Sequence, residues 1–278
     1  AMSRKPVDAT VIPVIDLSGA RSAVAEEISS VCSQVGFFQV VGHGLCPTIE
    51  EAAWRSASEF FSLPSEVKNA VAIPPGCAYG YGPFQAERLA ASLGEDTPPD
   101  LKETFSVGPG GAPIEGCPTC SREKDETCQE CQLRRFIFSS NIWPSELPGL
   151  EPTLLGYYEA LQQLCARLLS LMAAALDLPS DFFTSFSDQA PSALRCLHYP
   201  DLQGLKVADG QLRAGAHTDY GTITLLKQDD APGGLQVTCL ATQRPACSGV
   251  GARGTMVERA ECSRGVRGQH WRCDAALD

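Results

Sequence analysis

Apolar residues recur along this chain with two periods, one typical of helices and one typical of strands. Apolar positions three or four residues apart predict helices with one buried face. Short apolar runs that end at glycine or proline predict strands. The helices are predicted over residues 24–35, 48–61 and 151–178, and the strands over 11–17, 37–41, 194–199, 222–226 and 234–237.

The order of these elements predicts the fold class. Helices dominate the first part of the chain and strands the later part, which favours an α+β fold with helices packed on a β-sandwich or jelly roll. Residues 74–113 are rich in glycine and proline and have few periodic apolar positions, so we predict a loop there.

Composition limits the kinds of partner that the chain can bind and indicates its cellular compartment. The 278 residues carry 22 basic and 33 acidic side chains, a formal net charge of −11. Such a polyanion is a poor partner for nucleic acid or an anionic membrane surface. No apolar run approaches the roughly 20 residues of a membrane span, and the N-terminal residues do not resemble a signal peptide. We therefore expect a cytoplasmic protein in which most of the 13 cysteines are free thiols.

The segment around His217 and Asp219 is the first candidate functional site. In an extended chain, residues two apart point to the same side, so this imidazole and this carboxylate can face one cation. A further, distant histidine would complete the two-histidine-one-carboxylate arrangement that holds non-haem Fe(II). The alternative is a surface turn that binds no metal.

Six motifs occur along the chain in a fixed order: IPVIDL (12–17), GFFQVVGHG (36–44), DLKETF (100–105), LRCLHYP (194–200), HTDYG (217–221) and GGLQV (233–237). By these motifs the chain resembles the isopenicillin N synthase-like family of Fe(II)/2-oxoglutarate-dependent dioxygenases. The match runs nearly collinearly over residues 11–237, and several ordered matches are more specific than any one of them.

This resemblance implies a helix-decorated double-stranded β-helix, or jelly roll, that carries Fe(II). His217 and Asp219 would be two iron ligands, and Tyr199 would lie near the 2-oxoglutarate co-substrate. A buried strand tyrosine bonded to a neighbour is the alternative for Tyr199, and we expect structural roles for His43 and His198. The reaction would use O2 to hydroxylate, desaturate or ring-close a small organic substrate that the sequence does not identify.

The family pattern fails after Val237. The family continues with a second histidine in a His-Arg-Val strand and then an Arg-x-Ser that grips 2-oxoglutarate, and residues 238–278 contain neither. This segment also lacks the alternating pattern of strands. Read from the second base of each codon, residues 266–278 are compatible with the family-like strand FVVNIGD. We therefore hypothesise a frame change, which would make His270 an accident of frame.

Four regions follow from these observations: an N-terminal dioxygenase region (1–115), a cysteine-rich insert (116–135), a helix with the first part of the jelly roll (136–237) and an aberrant tail (238–278). Because the C-terminal end of the jelly roll is incomplete, we expect this form of the enzyme to be inactive. The rival function is a catalytically dead, truncated paralogue that serves as a binding or regulatory module. A family oxidase that uses no 2-oxoglutarate is a third possibility.

Four cysteines in the insert have the spacing of a structural zinc site. Two Cys-x-x-Cys pairs separated by seven residues can supply four thiolates to one tetrahedral Zn(II). A polar surface loop with free thiols is the alternative. The four residues are Cys117, Cys120, Cys128 and Cys131.

Overall fold

A computed structural model shows how these predicted elements pack. It describes residues 12–94, 96–111, 127–187, 190–217, 219, 221–229, 235–239, 244–248, 255–258 and 270–277.

The α-helices of the described residues all lie in the first two thirds of the chain and include all three that the apolar spacing predicts. They are α1 (Arg21–Gln34), α2 (Pro47–Phe61), α3 (Ser65–Ala70), α4 (Gln129–Ile137) and α5 (Leu150–Ala175). Gly36 follows α1 with a φ of 82°, a left-handed conformation that ends a helix at little cost in glycine. Within the described ranges, no helix is long and apolar enough to cross a bilayer.

Strands occur throughout the chain. They are β1 (Val14–Asp16), β2 (Phe38–Val41), β3 (Gly80–Gly82), β4 (Glu103–Val107), β5 (Ala193–Tyr199), β6 (Ile223–Gln228), β7 (Gln236–Cys239), β8 (Arg244–Ser248), β9 (Thr255–Glu258) and β10 (His270–Leu277).

The described strands form one eight-stranded sheet and one two-stranded sheet. The large sheet has the order β1-β2-β9-β6-β10-β5-β4-β3, and β7 pairs with β8. The pair β1 and β2 is parallel, whereas the other neighbours are antiparallel. This mainly antiparallel sheet, covered by helices, confirms the predicted α+β class.

The core lies between the large sheet and α5. Both α1 and α2 pack against α5. Leu154 and Leu168 of α5 have no exposed surface, and they share one apolar cluster with Phe60, Phe105 and Leu194. The long helix is therefore the element against which the N-terminal helices and the sheet are assembled.

Strand β4 shows where the pattern of apolar residues misleads. Residues 74–113 were expected to be loop, yet they contain β3 and β4. All five residues of β4 are buried. Phe105 and Val107 alternate with the polar Thr104 and Ser106, but Glu103 takes the next position on the face of Phe105 and shortens the pattern to four residues. The loop prediction is wrong here because so short an alternation does not stand out beside the glycine and proline residues of this region.

The expectation that residues 238–278 form no strand is also wrong. Strands β8, β9 and β10 lie in this region, and β10 pairs with both β5 and β6. The N–H and C=O groups of neighbouring strands need partners, and an extended backbone supplies them whatever its side-chain pattern. The edges of β5 and β6 are thus covered by β10. The frame-change hypothesis for this region stays a prediction.

The packing of α5 leads to a stability prediction. Replacing Leu168 by alanine leaves a cavity in the core and should lower the free energy of unfolding by about 2–5 kcal/mol. Urea unfolding measures the change. Gln163→Ala, on the exposed face of the same helix, is the matched control and should change stability little. Equal effects of the two substitutions would contradict the assigned core.

Candidate metal centre

His217 and Asp219 lie together just before β6. The Nε2 atom of His217 is 3.3 Å from Oδ1 of Asp219, and the two side chains are 15% and 25% exposed. Two donors about 2.1 Å from one ion and at right angles to each other are about 3.0 Å apart. The observed separation therefore suits two neighbouring ligands of one cation.

The outer atom of each candidate ligand is held by a hydrogen bond. His217 donates from Nδ1 to the Gly215 carbonyl oxygen at 2.9 Å, and the buried Thr224 hydroxyl donates to Oδ2 of Asp219 at 2.7 Å. Metal-binding histidines and carboxylates have such second contacts, which fix the ring and the carboxylate in place. Both inner atoms, Nε2 and Oδ1, are consequently directed toward each other.

This arrangement calls for a positive charge between the two side chains. Because Nδ1 of His217 donates its proton to a carbonyl, Nε2 of the neutral ring carries a lone pair. A lone pair and a carboxylate oxygen repel each other at 3.3 Å unless a proton or a metal ion lies between them. The donor set fits Fe(II), which binds imidazole and carboxylate ligands.

The described side chains supply two candidate ligands for this site. Throughout the described ranges, no group of three or more His, Cys, Asp or Glu side chains is placed to hold a metal ion. The backbone of His270 lies opposite Tyr199, at one end of β10, whereas Leu277 at the other end lies opposite Ile223. Eight residues of strand span about 23 Å, so the sheet places His270 far from the start of β6.

Tyr199 is buried at the end of β5. The sheet register places it at the same end as His270, away from Ile223. The neighbouring Pro200 carbonyl accepts a hydrogen bond from Arg213, in the segment that leads to His217, at 3.0 Å. The link of Tyr199 to 2-oxoglutarate stays a prediction.

The other two candidate histidines have structural partners. His198 donates from Nδ1 to Oε1 of Glu103 at 2.7 Å, and its ring packs on Phe61. His43 accepts the Leu45 N–H at Nδ1, and burial lowers its pKa. These contacts agree with the structural roles expected from the sequence.

Glu103 is the centre of a buried polar cluster. Besides His198, it accepts hydrogen bonds from Lys68 Nζ at 2.8 Å and from the Tyr81 hydroxyl at 2.5 Å. Burial alone would raise the pKa of Glu103, but the hydrogen bonds from His198, Lys68 and Tyr81 outweigh it and hold that pKa below its ordinary value. Glu103 is therefore a buried anion that is fully paired.

A second, partly buried polar cluster lies beside the first. Lys102 Nζ is 3.1 Å from Glu87 Oε2 and 3.6 Å from Asp100 Oδ2, and Arg195 forms an ion pair with Glu87. Burial lowers the pKa of Lys102, and the nearby carboxylates oppose that shift. The DLKETF motif contributes Asp100, Lys102 and Glu103, but its spacing alone does not reveal these partners.

The predicted zinc site is only partly described. Cys117 and Cys120 lie outside the described residues. Cys128 precedes α4, and Cys131 is buried in its first turn. Zinc binding by these cysteines stays a prediction.

Comparison with known proteins identifies the family. The profile of the family described as "non-haem dioxygenase in morphine synthesis N-terminal" matches residues 12–146. The 2-oxoglutarate-dependent dioxygenase citB of Monascus ruber is 34% identical over 242 residues, which are 80% of this chain and 66% of the relative. Clavatol oxidase claD of Penicillium crustosum is 30% identical over 80% of this chain and 68% of its own length.

Solved structures agree with these relatives. A 2OG-Fe(II) oxygenase family protein from Caulobacter crescentus matches with a TM-score of 0.74 and 26% identity, over 96% of this chain and 86% of the other. A Neurospora crassa protein in complex with alpha-KG and thymine matches with a TM-score of 0.70 and 25% identity, over 99% and 88%. The fold is thus the double-stranded β-helix, as predicted.

The chain belongs to the Fe(II)/2-oxoglutarate-dependent dioxygenase family. It spans about two thirds of the length of the Monascus relative.

The Glu103 cluster leads to a prediction about acid stability. Because its folded pKa is lowered, the Glu103 carboxylate stabilises the fold above its unfolded pKa of about 4.3. This contribution is lost as the pH falls through the lower folded value. Glu103→Gln should therefore lose less stability than the wild type between about pH 5 and pH 2.

Urea unfolding at several pH values measures this difference. At neutral pH, Glu103→Gln should be about 3–5 kcal/mol less stable, because the buried Lys68 loses its charged partner. The exposed Glu66 of α3 offers a control, since Glu66→Gln should follow the wild type. An acid profile of Glu103→Gln parallel to that of the wild type would show that Glu103 does not carry this dependence.

Proposed function

We propose that the chain is a form of an Fe(II)- and 2-oxoglutarate-dependent oxidoreductase that acts on a small organic molecule, with His217 and Asp219 as two metal ligands. The expected inactivity of this form stays a prediction. The observation that carries the proposal is the 3.3 Å approach of Nε2 and Oδ1, with each side chain held from behind by a hydrogen bond. Membership of the dioxygenase family supports the same conclusion.

Each residue of the centre has a distinct part in this proposal. His217 binds through Nε2 and Asp219 through Oδ1, while Gly215 and Thr224 keep the two ligands oriented. Tyr199 is the proposed hydroxyl near the co-substrate. When bound, Fe(II) and 2-oxoglutarate supply the activation of O2 for oxidation of a substrate carbon, which protein side chains alone do not provide.

The substrate is proposed only as a class. The relatives compared above include an oxidase named for clavatol and a structure that contains thymine, both small organic molecules. Hydroxylation, desaturation and ring closure all fit a centre that oxidises a bound carbon.

Metal binding is the direct test of this function. Mn(II) accepts the same nitrogen and oxygen ligands as Fe(II), is stable in air, and can be followed by the loss of its free EPR signal. We expect the wild-type chain to take up Mn(II), and His217→Ala or Asp219→Ala to abolish most of this uptake. Asp209→Asn, an exposed carboxylate of the preceding loop, is the matched control and should bind as the wild type does.

The outcomes separate the candidate functions. Uptake of Mn(II) together with Fe(II)-dependent conversion of 2-oxoglutarate to succinate supports the enzyme. Uptake without any effect of 2-oxoglutarate favours the binding or regulatory module. Absence of Mn(II) uptake by the wild-type chain would overturn the metal centre.

The hydroxyl of Thr224 gives a finer prediction. Thr224→Val keeps the shape of the buried side chain but removes the donor to Asp219, so Asp219 loses its orientation. The Kd for Mn(II) should rise about 10- to 100-fold. Thr224→Ser keeps the hydroxyl and should bind nearly as tightly as the wild type. Equal affinities for the two variants would show that this hydrogen bond does not support the centre.

A further inference from the structure

Asp100 contacts the backbone of the metal centre from a distant part of the chain. It is buried, with 2% of its surface exposed, and its Oδ1 accepts the N–H of Gly215 at 2.9 Å although the two residues are 115 positions apart. The carbonyl of the same Gly215 accepts the hydrogen bond from His217 Nδ1. Two consecutive hydrogen bonds thus connect Asp100 to the candidate ligand.

We propose that Asp100 is a positioning residue of the metal centre: its carboxylate fixes the backbone at Gly215 and, through it, the direction of the His217 ring. This inference rests on the proposed metal-binding function. Asp100 itself is not a ligand in it and contacts neither the metal nor the substrate.

The second oxygen of Asp100 binds the backbone segment that packs against Gly215. Oδ2 accepts the Leu89 N–H at 3.0 Å, and Lys102 Nζ lies 3.6 Å away. Ala90, the next residue, packs directly on Gly215: a Cβ built on this glycine would be 2.8 Å from the Ala90 nitrogen. One carboxylate therefore ties together the two backbone segments that touch beside the centre.

The segment that leads to His217 is attached to the Asp100 region at further points. Leu101 donates its N–H to the Leu212 carbonyl at 3.1 Å, and Gln211 donates from Nε2 to the Pro99 carbonyl at 2.8 Å. These bonds place residues 211 and 212, but Gly215 is the residue that bonds to the ring. The Asp100 contact is thus the one closest to the ligand.

The chemistry of the contact explains why it should affect metal affinity. A buried carboxylate that accepts backbone N–H groups forms charge-assisted hydrogen bonds, which are stronger than neutral ones. Metal ligands must be held within about 0.5 Å of a productive geometry. Without the charge at Gly215, the carbonyl that orients His217 can shift, and Nε2 shifts with it.

Two substitutions at Asp100 test the inference in the full chain. Asp100→Ala removes both acceptor oxygens, whereas Asp100→Asn leaves one oxygen for two N–H donors and is the milder change. We expect the Kd for Mn(II), measured by EPR, to rise about 10- to 100-fold in Asp100→Ala and by a smaller factor in Asp100→Asn. If the alanine variant does not fold, the asparagine variant carries the test.

Hydrogen exchange gives a second readout that needs no metal. The Gly215 amide should exchange faster in the metal-free Asp100→Asn chain than in the wild type, because its acceptor is weakened. Glu103→Gln is the matched control: Glu103 is a buried carboxylate of the same motif, but its partners are Lys68, Tyr81 and His198. That variant should lose stability while keeping Mn(II) affinity.

The results distinguish this inference from the proposed function. If the wild type binds Mn(II), His217→Ala does not, and Asp100→Asn binds as the wild type does, then the positioning role is wrong and the metal centre stands. Equal losses of Mn(II) affinity in Asp100→Asn and Glu103→Gln would show that Asp100 only stabilises the fold in general, and would overturn the inference. If the wild type binds no Mn(II), the proposed function fails, and the inference fails with it.

Discussion

Two buried carboxylates, Asp100 and Glu103, impose the constraint on which this structure depends. A charge in the interior is tolerated only when hydrogen bonds and opposite charges surround it. Glu103 meets this demand with Lys68, Tyr81 and His198, and Asp100 meets it with two backbone N–H groups and Lys102. Satisfying the two charges therefore joins β4 to α3, to β5 and to the segment before His217.

The same constraint links the fold to the centre. The sheet and α5 provide an apolar frame, but apolar packing does not fix a ring to within a few tenths of an ångström. Directional hydrogen bonds do so here, from His217 to the Gly215 carbonyl and from Thr224 to Asp219. The proposed chemistry depends on these contacts, because a cation binds tightly only where its ligands are already in place.

Sequence patterns predicted the parts of this molecule that depend on local periodicity. The faces of α1, α2 and α5 and the pairing of His217 with Asp219 follow from spacings of two to four residues. Strand β4 was missed because Glu103 interrupts its apolar face and leaves only four alternating residues, and β8 to β10 were missed because backbone pairing requires no side-chain pattern. The role of Asp100 could not be predicted either, since its partner lies 115 residues away and is a backbone N–H.

If His217 and Asp219 hold one metal ion, X-ray absorption of the Co(II)-loaded chain should detect both ligands. We expect nitrogen and oxygen neighbours at about 2.1 Å with the multiple scattering of an imidazole ring, which His217→Ala should lose. A wild-type spectrum without imidazole scattering, or one that His217→Ala leaves unchanged, would contradict this expectation.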